Sequence, residues 1–313
     1  MVDATDPSDH LYVEVHLRSP NRKHERSSFF KYMTVDTGIA VLKNRTLRWS
    51  SPILFNDPFD VPRELILGIS YEDILRASTQ YLSELIQNPP EDTFELSPKV
   101  QFIVDTVKAG VSPDVKKLML DGLKNPEPSG PNTGEAAEAL SQVWRTMIPD
   151  LRILCLTENP SHAAMWCHYA GNYSGVVLEF NCVDEIDSAL LTAERVTYPT
   201  TKPPIYTAQW WGELMVLNQE TAVQRVLDIA THTKAPDWSY ENEWRVVGYR
   251  RPNDTGHFTD YPFQSEELAA IYLGPLISES NQSTLISLMS GYSHAKAFKV
   301  SVGVSREFAI NEI

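Results

Sequence analysis

Apolar residues recur along the chain at two periods, near 2 and near 3.6, and the two alternate without a fixed rhythm. Phe29 to Thr34 is a short apolar and aromatic run that predicts a strand. Asp36 or Thr37 can cap a helix behind it, running through Lys43 and ending at Asn44-Arg45. Thr46 to Ser50 predicts a second strand, broken by Ser51-Pro52. The helical period then dominates from 63 to 147, over Tyr71 to Ile86, Pro98 to Lys108, Pro113 to Leu123 and Glu135 to Ile148. Asn125 to Asn132 is rich in proline and predicts a loop. Strands resume at Arg152 to Leu156, Gly175 to Phe180, Glu194 to Tyr198, Trp244 to Tyr249, Ala269 to Leu273 and Ala297 to Val302. Between them lie a short helix, Ala163 to Tyr169, one long helix, Gln209 to His232, and a third, Ser280 to Met289.

This order lacks regular strand–helix–strand repetition. It predicts an α+β fold rather than a doubly wound sheet. The expected organisation is a polar N-terminal arm over 1–28, partly disordered, in which Leu11 to Leu17 alternates like an edge strand. A single α+β domain follows over 29–313, carrying a helical insertion at about 63–147.

Composition narrows the function classes. Hydrophobic residues make up 42% of the 313, sufficient for a proper core. No run approaches the roughly 18 apolar residues of a membrane span, and Met1 to Asp9 is acidic rather than signal-like, so no membrane association is expected. Three unpaired-looking cysteines, Cys155, Cys167 and Cys182, fit a reducing compartment, and the expected location is the cytoplasm. A net charge of −14 disfavours generic DNA binding. The basic stretch 18–32 reads as a solvated arm. No metal-binding spacing is present, so no metal is expected.

Three short motifs carry candidate chemistry, each with a plainer alternative. In Glu241-Asn242-Glu243-Trp244-Arg245, two acids at i and i+2 enter a strand and point to one face. They can orient a hydroxyl or handle a proton; the plainer reading is a polar strand entrance neutralised by Arg245. In Met165-Trp166-Cys167-His168-Tyr169-Ala170, Trp166 and Tyr169 share a helical face that is either core or a platform for a planar ring. His168 is either an acid–base group or a structural hydrogen-bonding residue. Phe55-Asn56-Asp57-Pro58-Phe59-Asp60 is a tight turn. It either fixes a ligand or is structural, with both Phe rings in the core.

Taken together, Phe30-Lys31-Tyr32, Phe55 to Asp60, Cys155 to Asn159, Met165 to Ala170, Gly175 to Phe180, Trp238 to Arg245 and Ile271 to Gly274 resemble a widespread bacterial family of unknown function, over roughly residues 29–275. The layout also resembles the ADP-ribosyltransferase fold, with a mixed, mainly antiparallel sheet core. That resemblance implies NAD as a substrate. Lys31 or Tyr32 would hold the adenosine ribose, although a His or Arg is usual there. Tyr169 with His168 would lie near the nicotinamide, with Trp166 as an aromatic wall, and Asn56 and Asp57 in a ligand-fixing loop. Glu241 or Glu243 would stabilise the oxocarbenium-like transition state. The implied activity is NAD-dependent ADP-ribosyl transfer or NAD glycohydrolysis, with an unknown protein or nucleic-acid acceptor. Two alternatives stay open: a small-molecule or partner-binding module in a bacterial defence or toxin context, and a metal-assisted hydrolase using Asp57, Asp60, His168 and a Glu.

Overall fold

The computed structural model describes residues 18–63, 65, 68–124, 141–201 and 203–313. Leu11 to Leu17, the loop at 125–132 and the start of the helix expected from Glu135 lie outside the described residues. The chain divides into two compact units, each assembled from separate stretches: Met1–Arg45, Trp166–Ala193 and Phe263–Ile313 in the first, Thr46–Met165 and Glu194–Pro262 in the second. Strands and helices are interspersed, and most of the described strand pairs are antiparallel, with β8 and β9 parallel, so the fold is α+β with a mixed, mainly antiparallel sheet.

In the first unit the strands are β1 (Ser28–Met33), β4 (Val176–Asn181), β8 (Leu268–Leu273), β9 (Lys296–Val302) and β10 (Phe308–Glu312), in the order β10-β9-β8-β4-β1. Only β8 and β9 run parallel. The burial of Val176, Val177, Leu178 and Phe180 in β4 matches its near-continuous apolar sequence, as a central strand requires. Helix α1 (Val35–Asn44) packs on α8 (Glu279–Met289). Its cap is Thr34, whose hydroxyl accepts from the Thr37 amide, rather than Asp36 or Thr37. Helix α5 (Ala163–Tyr169) seats Trp166 with no exposed surface, its ring edge-on to Tyr32 at 5.4 Å.

The loop after α5 returns to β4 through Gly175. A Cβ there would stand 2.3 Å from the Met33 carbonyl oxygen and 2.7 Å from that of Ala170. Both are backbone atoms with little room to give. Gly175→Ala is therefore expected to cost about 1–3 kcal/mol, read as a lower urea midpoint. An unchanged midpoint would mean that the turn relaxes freely.

The basic arm is docked rather than solvated. Arg22 has a side chain 8% exposed and donates to Asp184 at 2.8 Å and to the Cys182 carbonyl at 2.7 Å. His24 is buried, with a ring nitrogen 2.9 Å from the Leu190 carbonyl.

In the second unit the strands are β2 (Thr46–Ser50), β3 (Leu151–Thr157), β5 (Glu194–Arg195), β6 (Glu243–Tyr249) and β7 (Phe258–Pro262). They pair antiparallel throughout, as β7-β2-β3-β6-β5. Helices α2 (Tyr71–Gln87), α3 (Pro98–Ala109) and α4 (Pro113–Gly122) come from the expected insertion, followed by a helical stretch at 141–147. Helix α2 packs against α3 and against α6 (Ala208–Leu214). One buried cluster joins Ile74, Leu85, Val104 and Trp144 to Ile153, Trp211, Leu214 and Leu227.

The long helix expected over 209–232 is instead two, α6 and α7 (Gln219–Thr231). The break lets residues 216–218 meet 95–97: the Ser97 amide donates to the Val216 carbonyl and the Asn218 amide to that of Glu95. The Asn218 side chain then caps α7 through the Thr221 amide. Among the described residues no helix is long and apolar enough to cross a membrane.

Candidate functional site

The second unit holds a buried cluster of charge. Helix α7 ends at Thr231, and a 3-10 turn over Pro236–Glu241 leads to β6. Between them Asn242 adopts the left-handed conformation, φ 42° and ψ 52°, which asparagine tolerates better than most residues. Glu241 therefore closes the turn and Glu243 opens the strand, and the two are not successive same-face residues of one strand. They converge all the same, on a cation outside the motif. The Lys234 ammonium donates to Glu241 Oε2 at 2.5 Å and to Glu243 Oε2 at 3.2 Å, and lies 3.5 Å from Asp60 Oδ2.

Arg245 completes the group. Two residues beyond Glu243 on the same strand face, its Nε donates to Glu243 Oε1 at 2.8 Å and its Nη2 to Oε2 at 3.0 Å. Nη2 also reaches both Asp60 oxygens, at 2.8 and 2.9 Å. Nη1 donates to the Thr231 carbonyl at 2.7 Å, placing positive charge at the C-terminal end of α7 where the helix dipole favours it. The Arg245 side chain is fully buried, and those of Asp60, Glu241, Glu243 and Lys234 are 4–6% exposed. Tyr198 accepts from the Glu243 amide at 3.0 Å, and the Thr157 hydroxyl donates to the Glu241 carbonyl.

Burial opposes the charges of Glu243, Lys234 and Arg245, and the pairing outweighs it. Burial pushes the Glu243 carboxyl up, but the charges and hydrogen bonds of Arg245 with the charge of Lys234 bring it down to about 2. Burial works against the Lys234 ammonium, yet Glu243, Asp60 and Glu241 together hold its pKa above the ordinary lysine value. Arg245 is likewise raised by Glu243 and Asp60 against its own burial. Burial pushes the Tyr198 hydroxyl up to about 12. All four groups keep one protonation state across neutral pH.

Beside this cluster is a pocket of about 350 Å³. Asp60 and Lys234 form its charged wall. Ile205, Tyr206 and Ile229 form its apolar side, and Thr200 and Phe59 lie at its border. Its volume sits at the lower end of small-molecule sites, roughly 300–1,000 Å³. Phe59 is 86% exposed, so only Phe55 of the turn's two rings is drawn inward, where it lies under the Arg245 guanidinium at 5.5 Å.

Of the residues singled out in the sequence, the structure unites Glu241 and Glu243 with Asp60 and Arg245. Asp57 is part of the turn itself, its carboxylate accepting from the Phe59 amide at 2.8 Å, and Asn56 is exposed. Lys31, Tyr32, Trp166, His168 and Tyr169 belong to the first unit. Lys31 is half-buried on β1, Tyr32 and Trp166 are buried, His168 is exposed and Tyr169 half-buried. Among the described residues no group of three or more His, Cys, Asp or Glu side chains is arranged to hold a metal ion.

The stretch that carries both the tryptophan helix and the Glu241–Arg245 strand has a counterpart among known families. A family model described as a protein of unknown function, DUF2971, matches residues 165–246. No curated protein and no solved structure matches the chain.

Lys234, Thr231 and Tyr198 were not legible as site residues. A single lysine ahead of Pro236 has no motif around it, and its role comes from three carboxylates, one of them 174 positions away in the turn at Asp60. The turn motif did contain the usable signal. Its final aspartate, rather than Asn56 or Asp57, is the buried one.

Proposed function

We propose that the protein is a small-molecule-binding module whose ligand site is the pocket walled by Asp60 and Lys234. One observation carries this reading: a locked, buried ion cluster forms one wall of a partly apolar cavity. A few convergent polar groups set in an apolar pocket are the usual makeup of a ligand site. The cluster positions the wall, and the reading assigns its carboxylates no chemical step. Both Glu243 oxygens accept from Arg245, and Glu241 accepts from Lys234. The direct test is a ligand-observed NMR screen of neutral, anionic and cationic fragments against the full chain, with Thr200→Trp as the pocket-blocked control. Hits that vanish in the control support the reading. Binding by no fragment, or only by fragments indifferent to the control, would end it.

A second reading is NAD-dependent ADP-ribosyl transfer or NAD glycohydrolysis. It is favoured by the position of Glu243 at the first residue of β6, where the resemblance to ADP-ribosyltransferases puts the transition-state carboxylate. For that chemistry a carboxylate must leave Lys234 or Arg245 to meet the sugar. Nicotinamide release from NAD that disappears in Glu241→Gln or Glu243→Gln would establish it and displace the first reading. Absence of release with cell extract supplied as acceptor would remove it.

A further inference from the structure

We infer that the free edge of the first unit's sheet is a self-association surface, on which β10 pairs antiparallel with β10 of a second copy about a two-fold axis at Ile310. The inference is independent of the pocket. Among the described residues β10 pairs with β9 and stands at the end of the strand order. Bonds between the two strands fall at the odd-numbered residues of this segment. The Ile313 amide donates to the Ala297 carbonyl at 3.0 Å, and the Gly303 amide to the Glu307 carbonyl at 2.8 Å. Bonded and non-bonded residues alternate along an antiparallel ladder. Phe308, Ile310 and Glu312 therefore turn their amides and carbonyls away from β9, toward the open edge.

Edge strands are ordinarily guarded by lysine, proline or a bulge. The edge strand β7 of the second unit ends on Pro262. The five residues of β10 include no lysine or proline, and their register with β9 is unbroken. Apolar side chains lie along the same edge. Ile310 is 36% exposed, Ile313 57%, and Val302, which faces Phe308 from β9, 71%. An added strand satisfies such an edge, because it bonds the outward backbone groups and covers the side chains beside them.

The strand is complementary to itself. With Ile310 opposite the partner's Ile310, Phe308 stands opposite the partner's Glu312, and Ala309 opposite the partner's Asn311. Each opposed pair of outward residues exchanges two hydrogen bonds, so this register uses every outward amide and carbonyl of β10. The isoleucines form a β-branched cross-strand pair. No like charges stand opposite each other: Glu312 meets an aromatic ring and Glu307 meets the partner's Ile313. Glu312 is also held within its own copy by Lys296, at 3.1 Å. A two-fold interface uses one patch twice in this way. Five residues a side fall short of the roughly 1,200 Å² that a stable interface buries. A net charge of −14 on each copy also opposes approach. The dimer is therefore weak, with a Kd of roughly 10–100 μM, and it tightens as salt screens the repulsion.

The experiment is sedimentation velocity of the full chain over a hundred-fold range of concentration, at low and at high salt. The expected result is a reversible monomer–dimer equilibrium that is tighter at high salt. Ile310→Lys puts two like charges face to face at the axis and should weaken it about ten-fold or more. Glu312→Pro removes an outward amide and no bond to β9, and should weaken it to a similar degree. Val304→Lys, fully exposed in the turn between β9 and β10, should change it less than about two-fold. Amide exchange followed by NMR adds the register: the Phe308, Ile310 and Glu312 amides should gain protection as concentration rises. A monomer at every concentration overturns the inference. So does a dimer that both strand variants leave intact, one that Val304→Lys abolishes, or one in which those three amides gain no protection.

Discussion

Arg245→Leu is expected to lower the stability of the protein by about 3–5 kcal/mol. The guanidinium has no exposed surface and donates to both Asp60 oxygens and both Glu243 oxygens. Leucine fills part of the space but leaves two carboxylates, each about 5% exposed, facing one remaining cation. Lys234 already directs its three donors at the three carboxylates and has none left to replace those lost with Arg245. Urea unfolding followed by circular dichroism measures the loss. A drop below about 1 kcal/mol would mean that protonation or entering water compensates, and the cluster would then be far less tightly built than its distances imply. A control separates the charge from the packing. Asp60→Asn, Glu243→Gln and Arg245→Met combined should cost less than Arg245→Leu alone, because no unpaired charge is left buried.

The second large effect is acid lability. Glu243 titrates at about 2 in the folded chain against an ordinary 4.5. A carboxyl with a depressed folded pKa adds stability that is fully present above its unfolded value and is lost as pH falls through the folded one. Between about pH 4.5 and 2 this one group is expected to remove on the order of 3 kcal/mol, at up to about 1.4 kcal/mol per pH unit. Unfolding free energies of the wild type and Glu243→Gln, measured from pH 6 to pH 2, isolate the contribution. The variant is less stable at pH 6, and its curve should fall less steeply with acid. Parallel curves would show that Glu243 does not carry the dependence and that the cluster shares its protons differently.

The two predictions describe one physical object. A charge cluster in a dry interior is costly to assemble and holds only when every member is partnered. Such a cluster fixes local geometry more firmly than apolar packing of the same volume, since each hydrogen bond has a direction. Here it fixes the turn at Asp60, the end of α7 and the start of β6, and the first two also contribute residues to the pocket.

Much of the local architecture could be read from the chain. The strand at Thr46–Ser50, the helix at Ala163–Tyr169 and the three insertion helices at Tyr71–Gln87, Pro98–Ala109 and Pro113–Gly122 follow from apolar period and from the Ser or Pro at their starts. The strands Phe258–Pro262 and Phe308–Glu312 were not legible. Each is short, with its exposed residues outnumbering its buried ones, so neither carries a clear apolar alternation.

The sequence by itself determined the α+β class, most helices and strands, and the presence of two acids before Trp244, because these depend on periods and caps spanning a few residues. Tertiary structure alone decided that residues 216–218 leave the helical path to pair with 95–97. It alone decided that Phe59 faces outward while Asp60 turns in, and that Lys234 is the cation on which Glu241 and Glu243 meet. The reason is electrostatic as well as steric. The partner of a buried charge is set by which elements enclose it, and a sequence that places Asp60 and Arg245 185 positions apart carries no local trace of their contact.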